Sequence, residues 1–136
     1  MHTTTFFAPQ LTIKVVAPAV EFYKKVFGAK VLRLFEHEGK IHVAEMEIDG
    51  AMFHIHEETP NKNQLSPETT QAASVLIGLF VDDVHSVIKK AEANGAKIIS
   101  PITDWDYGYR QSTFVEPFGH HWMIEKKIDP RTGIPS

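Results

Sequence analysis

The chain has 136 residues, of which 43% are apolar and 23% are charged, as is typical of one globular domain with a hydrophobic core. A net charge of −3, with no Lys/Arg cluster along one helix, excludes a protein that binds a nucleic-acid backbone. The chain has no cysteine, which excludes disulfides, thiolate nucleophiles and cysteine-type zinc sites. No apolar run approaches the roughly 18 residues that span a bilayer, and the first residues lack a signal-peptide pattern. We therefore expect a cytoplasmic protein that binds no membrane.

The first predicted elements are a strand and a helix. Leu11, Ile13 and Val15 alternate with polar residues, which is typical of a strand with one buried face. Pro18 suits the first position of a helix, because its backbone angle fits and its missing N–H leaves no bond unmade there. Apolar residues then recur at helical spacing, and Gly28 is typical of a helix C-terminus.

Three further strands are predicted after this helix, at about 30–37, 40–48 and 51–57. The Asp-Gly pair at 49–50 lies between the last two strands and is a strong signal for a two-residue hairpin turn. These elements make a first module of one strand, one helix and three strands, which we place at about 8–57.

The same order of elements returns in the second half of the chain, at about 72–127. Gly-Ala-Lys at 28–30 occurs again at 95–97, and each copy closes a predicted helix. Asp82 or Asp83 is predicted to cap the second helix at its N-terminus. The predicted elements of this second module are, in order, 74–81, 84–94, 97–100, 109–115 and 120–126.

Two polar stretches that contain prolines lie outside the modules. Residues 58–71 carry two prolines and are predicted to form a linker. Residues 128–136, with two prolines and a glycine, are predicted to form a loose tail. Because two modules in so short a chain cannot easily form two domains, we expect residues 1–136 to form one α+β domain, with curved mixed sheets around a cup-shaped cleft between the halves.

The hairpin turn determines which residues of its two strands lie opposite each other. A two-residue turn places Ile48 opposite Ala51 and Glu45 opposite His54. Since side chains alternate strictly along a strand, one face of the hairpin is apolar and is expected to pack on the helices. The other face is predicted to carry Val43, Glu45, Glu47, Met52, His54 and His56.

The same alternation predicts a polar inner face in each module. In the second module Glu125 falls on the polar side and Trp122 on the apolar side. Arg110 is expected to join Glu125. We expect the two polar faces to line one cup that binds a small-molecule substrate. The predicted lining residues are Gln10, Glu45, His54, His56, Arg110, His121 and Glu125.

Several of these residues have two interpretations. His54 and His56 are either joint metal ligands or, as we favour, the polar lining of a cleft or dimer surface. Glu45 opposite His54 fits a general base steered by an imidazole, although a cross-strand charge pair is favoured. Arg110 with Glu125 fits bidentate binding of a substrate carboxylate or phosphonate, and equally fits a structural ion pair.

An aromatic segment precedes the strand at 109–115. Trp105, Tyr107 and Tyr109 flank Gly108 in a predicted loop. Aromatic side chains in such a position are able to form a lid over a ligand. Simple packing of the three rings is the favoured interpretation.

Three stretches carry a resemblance to a known family. They are Val-Glu-Phe-Tyr-Lys-Lys-Val-Phe-Gly-Ala at 20–29, Val-Asp-Asp-Val at 81–84, and Glu-Pro-Phe-Gly-His-His-Trp at 116–122. The last is similar to the family's Asp-Pro-Phe-Gly-His-x-Trp, with Glu116 in place of Asp. With the paired modules over about 6–127, they resemble the vicinal oxygen chelate superfamily, which includes glyoxalase I, fosfomycin and bleomycin resistance proteins and extradiol dioxygenases. The chain looks most like the glyoxalase-like subgroup related to a phosphonate-operon protein.

The resemblance implies a homodimer, and a metal site with one ligand on the first and last strand of each module. The four implied positions fall on Gln10, His54, Leu76 and Met123. Leu76 offers no ligand atom, and the thioether of Met123 is a poor ligand for a hard or borderline divalent ion. An open catalytic site normally keeps three protein ligands. The metal candidates are therefore Gln10, His54 and His56, which is an incomplete set that Glu45 or Glu125 would have to complete.

Three functions remain open. In a glyoxalase-like enzyme, a divalent zinc, nickel, manganese or iron ion would chelate two substrate oxygens while Glu45 or Glu125 moves protons. A binding protein of the bleomycin-resistance type would hold a flat or cationic ligand in apolar, acidic clefts. A dioxygenase-like or phosphonate-related enzyme would use a rearranged metal site made of His54, His56 and Glu45.

Overall fold

A computed structural model describes residues 4–129 of the chain. The chain divides into two compact units between Thr69 and Thr70. Each unit contains one four-stranded mixed sheet and one main helix. The α+β class and the two modules of strand, helix and three strands are thereby confirmed.

The first unit follows the predicted order of elements: β1 (Gln10–Ile13), α1 (Val16–Phe27), β2 (Lys30–His37), β3 (Lys40–Ile48) and β4 (Ala51–Glu57). The order of strands across its sheet is β1-β4-β3-β2. Strand β1 runs parallel to β4, whereas β3 is antiparallel to both of its neighbours. This topology places β1, β4 and β3 side by side.

Helix α1 begins earlier than predicted. Its first residue is Val16, so Pro18 is the third helical residue, still within the first turn, where no intrahelical bond is lost. Val15 is the N-cap, and its side chain is 50% exposed rather than buried in a strand. At the other end Gly28 has a φ of 66° and its N–H donates to Lys24 O, which confirms the predicted stop.

The turn between β3 and β4 confirms the predicted register. Asp49 and Gly50 have φ values of 48° and 87°, the two positive angles that a type I′ turn requires. Glu45 consequently pairs with His54. The apolar face of the sheet packs against α1. Its buried side chains are Leu11, Ile13, Ala44, Met46, Phe53 and Ile55.

Residues 58–71, predicted to be a linker, contain two short helical segments. These are the 3₁₀ helix Pro60–Lys62 and the single-turn helix α2 (Pro67–Thr70). Ser66 is fully buried, and its N–H and hydroxyl both donate to Glu58 Oε2, at 2.7 and 2.6 Å. Because these bonds stabilise the carboxylate, they lower the pKa of Glu58.

The second unit repeats the order of the first: β5 (Leu76–Phe80), α3 (Val84–Ala93), β6 (Lys97–Trp105), β7 (Tyr109–Val115) and β8 (His121–Lys127). Its strands are ordered β5-β8-β7-β6. Strand β6 is longer than the predicted 97–100, and β5 is shorter than the predicted 74–81. Within residues 4–129, no helix is long and apolar enough to cross a membrane.

Two acidic residues organise the ends of these elements. Asp83 caps α3, because its Oδ1 accepts a hydrogen bond from Ser86 N–H at 3.0 Å. Glu116 is buried and accepts hydrogen bonds from Trp122 Nε1 and from the N–H of His120, each at 3.1 Å. The glutamate of the Glu-Pro-Phe-Gly-His-His-Trp stretch thus holds the turn before β8 against a core tryptophan.

Ile128 corrects the prediction of a loose tail at 128–136. Its side chain is 3% exposed, and its N–H donates to Gly108 O at 2.9 Å. The chain is therefore anchored at this residue. The rest of the predicted tail, residues 130–136, lies outside the described residues.

Candidate functional site

The polar face of the first unit brings four predicted residues together. Gln10 on β1 and Glu45 on β3 both pair with His54 on β4, so these three residues form one row across the sheet. His56 lies two residues further along β4 and therefore on the same face. Both histidines are half-buried, whereas Ile55 between them faces the helix side and is fully buried.

The two histidine rings of this face lie parallel to each other. The ring centroids of His54 and His56 are 5.8 Å apart and the ring planes differ by 2°. His54 Nε2 lies 3.3 Å from Met52 Sδ, while His56 Nε2 is buried and has no hydrogen-bond partner among the described residues. Burial and the neighbouring His54 lower the pKa of His56, and Glu45 opposes them only in part.

The parallel rings of His54 and His56 do not fit a shared metal ion. The lone pair of an imidazole nitrogen lies in the ring plane, so an ion bound by both rings must lie in both planes. Stacked rings 2° from parallel direct their nitrogen lone pairs along separate planes instead of toward one point. The described part of the chain also contains no group of three or more His, Asp or Glu side chains that could hold a metal ion. No assembled metal site is therefore seen at Gln10, His54 and His56 among residues 4–129, and metal binding there stays a prediction.

Glu125 is the central residue on the polar face of the second unit. It pairs with Phe80 on β5 and with Gln111 on β7, and it is only 8% exposed. Gln111 Nε2 donates to Glu125 Oε1 at 2.9 Å, and Tyr107 donates from its hydroxyl to Gln111 Oε1 at 3.2 Å. These two bonds connect the buried carboxylate to the turn between β6 and β7.

Arg110 does not join Glu125, and this part of the prediction is wrong. Arg110 pairs with Lys126 and so lies on the opposite face of the sheet, the face that carries the buried Phe114. Its guanidinium donates to both carboxylate oxygens of Asp104, at 2.6 and 2.9 Å. This pairing lowers the pKa of Asp104 and raises that of Arg110. Arg110 is therefore part of a structural ion pair on the helix side.

Gln111 is the candidate that sequence reasoning missed, because it assigned β7 to the wrong register by one residue. A signal for the correct register was present. Phe114 has to face the core, so Ser112 and Arg110 share its side and Gln111 falls on the polar side. In the structure Phe114 and Ser112 are indeed almost fully buried.

Leu76 and Gly78 occupy alternate positions of β5 on the polar face of the second unit. Met123 pairs with Gly78 in the way that His54 pairs with Gln10, whereas Leu76 pairs with His121. A glycine has no side chain to offer a metal. A Cβ built on Gly78 would lie 2.7 Å from Glu125 Oε2, so the absence of a side chain here leaves room for the carboxylate.

Four aromatic side chains, which we call the aromatic cluster, lie beside Glu125 and Gln111. Trp105 and Tyr107 are nearly parallel, with centroids 5.8 Å apart and planes 8° apart. Tyr109 lies 5.9 Å from Tyr107 and 6.0 Å from Phe80, which completes the cluster. The rings pack on one another at the surface and not in the core. Trp105 is 44% exposed, Tyr107 is 58% exposed and Phe80 is 54% exposed.

Residues 2–124 match the family model of the Glyoxalase/Bleomycin resistance protein/Dioxygenase superfamily. An uncharacterised protein of Mycobacterium bovis is 29% identical to this chain over 125 residues, which cover 89% of this chain and 82% of that protein. This similarity extends over nearly all of both units.

Solved structures show the same fold. TioX from Micromonospora sp. ML1 has a TM-score of 0.72 at 22% identity, covering 92% of this chain and 100% of that one. A bleomycin-binding protein, solved in complex with bleomycin, has a TM-score of 0.64 at 16% identity, covering 90% of this chain and 98% of that one. Structural similarity at such low sequence identity establishes the fold and does not identify the ligand of this chain.

Proposed function

The chain belongs to the glyoxalase/bleomycin resistance protein/dioxygenase superfamily, and from this membership we propose that it binds a small organic molecule without a resident metal ion. Members of this superfamily bind small-molecule ligands, and its structures include both enzymes and binding proteins. Divalent metals are common in the superfamily. The choice between metal-dependent chemistry and simple binding therefore depends on the donor atoms that this chain supplies.

The donor chemistry of the two polar faces carries the proposal. In the second unit Met123 supplies a thioether, and neither Gly78, its partner on β5, nor Leu76 supplies a donor atom. In the first unit the parallel rings of His54 and His56 do not converge on one point. Neither face by itself supplies the three ligands that a catalytic ion normally keeps.

Ligand contacts are assigned to the polar side chains that remain on each face. Most of these side chains are half-buried, which suits groups that orient a ligand, whereas Gln10 is exposed and Glu125 is buried. Arg110 is omitted because it lies on the helix side. Gln111 is added because it holds Glu125. The proposed contacts are Gln10, Glu45, His54 and His56 in the first unit, and Gln111, His121 and Glu125 in the second.

The proposal includes a homodimer in the cytoplasm. Strand β2 is an edge strand, and its apolar side chains are 36–44% exposed. A long apolar edge strand is a surface that another chain normally covers. The side chains concerned are Val31, Leu32, Leu34 and Phe35. Light scattering should give twice the chain mass of 15.3 kDa, whereas a monomer at all concentrations would contradict this part of the proposal.

A thermal-shift screen of small metabolites and natural products tests the proposed function, run in parallel with and without a metal chelator. A ligand of the folded state raises the melting temperature, because it binds the native and not the unfolded chain. We expect ligands whose stabilisation is the same in both arms. Stabilisation that the chelator abolishes and one divalent ion restores would replace the proposal with a metal-dependent site. A broad screen without any stabilising compound would contradict ligand binding itself.

A further inference from the structure

We infer that the polar face of the second unit binds a flat organic cation that carries N–H donors, such as an amidinium, a guanidinium or a protonated heteroaromatic ring. Glu125 is the counter-ion, and the aromatic cluster is the stacking surface. This inference rests on the proposed function and specifies its ligand class. It is argued from residues of the second unit alone.

The first support is the incomplete set of partners around Glu125. The carboxylate is 8% exposed, and its one side-chain hydrogen bond in the described part of the chain goes from Gln111 to Oε1. Lys126 lies on the other face and donates to Asp82 O at 2.8 Å. Lys127 shares the face with Glu125 but forms no ion pair with it within residues 4–129. Oε2 accepts no hydrogen bond from the described side chains and is not among their fully buried atoms, so it is open to a cationic donor from a ligand.

The second support is the exposure of the aromatic cluster. The core aromatic side chains Phe114 and Trp122 are 0% and 3% exposed, whereas Trp105 and Tyr107 are 44% and 58% exposed. The faces of aromatic rings attract cations, and the attraction is strongest for tryptophan. Trp105 and Tyr107 are 8° from parallel, which provides two similarly oriented ring faces for a flat ligand.

The third support is that Gln111 connects Glu125 to the aromatic cluster. Gln111 accepts the hydroxyl hydrogen of Tyr107 on Oε1 and donates from Nε2 to Glu125. Phe80, a member of the aromatic cluster, is the register partner of Glu125 on β5. The carboxylate therefore has an aromatic neighbour on β5, and on β7 Gln111 connects it to Tyr107. A flat cation satisfies both features at once, because its ring stacks on the aromatic cluster while its N–H groups donate to Glu125.

The test compares benzamidine, a flat cation at neutral pH, with benzamide, a neutral molecule of nearly the same shape. Each is titrated into the wild-type protein while ¹H–¹⁵N NMR spectra are recorded, which gives both affinity and location. We expect benzamidine to bind at least about tenfold more tightly than benzamide, as the added charge-assisted hydrogen bond and cation–π contact predict. The largest shift changes are expected at Gln111, Tyr107 and Glu125.

Three variants separate the contributions. Glu125→Gln keeps the shape of the side chain and should reduce the preference for benzamidine to near unity. Trp105→Leu, at an exposed site, should weaken benzamidine binding severalfold without loss of the fold. Glu92→Gln makes the same chemical change as Glu125→Gln on the exposed surface of α3, and it should behave as wild type. Thermal melts of all three verify that they are folded.

Equal binding of benzamidine and benzamide would overturn the inference, as would shift changes outside the second unit or an unchanged preference in folded Glu125→Gln. So would the absence of benzamidine binding up to its solubility limit. If neutral compounds nonetheless stabilise the protein in the screen, the proposed function stands and only the ligand class is wrong. If no compound of either kind binds, both fail together.

Discussion

Gln111 Nε2 donates to Glu125 Oε1 at 2.9 Å, and this bond joins the buried carboxylate of β8 to the neighbouring strand. Gln111 in turn accepts from the hydroxyl of Tyr107 at 3.2 Å. The two bonds form a line from an exposed aromatic side chain to a carboxylate that is 8% exposed. The arrangement holds Glu125 in one orientation, and the proposed contact with a cationic ligand depends on it.

Gln111→Ala should destabilise the protein by about 1–3 kcal/mol, because it leaves a buried carboxylate oxygen without its donor. Urea denaturation of the variant measures the loss. Thr113→Ala is the matched control, since Thr113 lies two residues along β7 on the same face and is also half-buried. Equal effects of the two substitutions would mean that the hydrogen bond contributes nothing beyond side-chain packing.

Gly78→Ala should destabilise the protein by about 1 kcal/mol or more, because the new methyl group would lie 2.7 Å from Glu125 Oε2 and displace a carboxylate that Gln111 holds. In a Glu125→Ala background the same change should become neutral or stabilising, since alanine restricts the unfolded chain more than glycine does. A double-mutant cycle by urea denaturation measures this coupling. Additive effects would show that Gly78 and Glu125 do not compete for space.

The lowered pKa of His56 predicts a pH-dependent stability. Because the folded pKa lies below the ordinary value of 6.5, the unfolded chain binds more protons than the folded chain below about pH 6.5. The stability contributed by neutral His56 is therefore complete above pH 6.5 and is lost as the pH falls through the folded pKa. Free energies of unfolding between about pH 5 and 7 should rise less steeply with pH in His56→Gln than in wild type.

His37→Gln provides the control for that pH series, because the side chain of His37 is 76% exposed. We expect the pH dependence of this variant to follow that of the wild type. A slope that is the same for His56→Gln, His37→Gln and wild type would refute the assignment to His56.

Arg110→Ala should reduce stability by less than about 1 kcal/mol and should leave benzamidine affinity unchanged. The Asp104–Arg110 pair is partly exposed, and such pairs contribute little. The guanidinium also lies on the face opposite Glu125. Denaturation and the NMR titration measure the two quantities. A fall in affinity as large as that of Glu125→Gln would restore Arg110 to the ligand site.

Most of the fold was predictable because its signals are local. The Asp49-Gly50 turn determined the register of β3 and β4, and with it the polar face that carries Glu45 and His54. Gly28 and Asp83 marked helix ends through their backbone geometry and side-chain capping. Such signals require no knowledge of distant parts of the chain.

The errors arose where register depends on distant strands. Pairing of β5 with β8 is parallel and joins residues far apart in sequence, so no local signal indicates that Gly78, rather than Leu76, lies opposite Met123. Arg110 was misplaced because its side was inferred from the longer turn between β7 and β8 and not from Phe114, which faces the core on the same strand. The relation to a phosphonate-operon protein, and the single cup lined by both modules, stay predictions.

The most direct test of the central claim is the metal content of the purified protein. The protein is incubated with nickel, zinc, manganese, iron(II) or cobalt, passed through gel filtration and measured by elemental analysis, with His54→Ala treated in parallel. We predict far less than one ion per chain, with no difference between wild type and His54→Ala, because the histidine rings do not converge and Gly78 and Met123 supply no adequate ligands. Retention of about one ion per chain by the wild type, lost in His54→Ala, would contradict metal-free binding and make a chelating enzyme the better account.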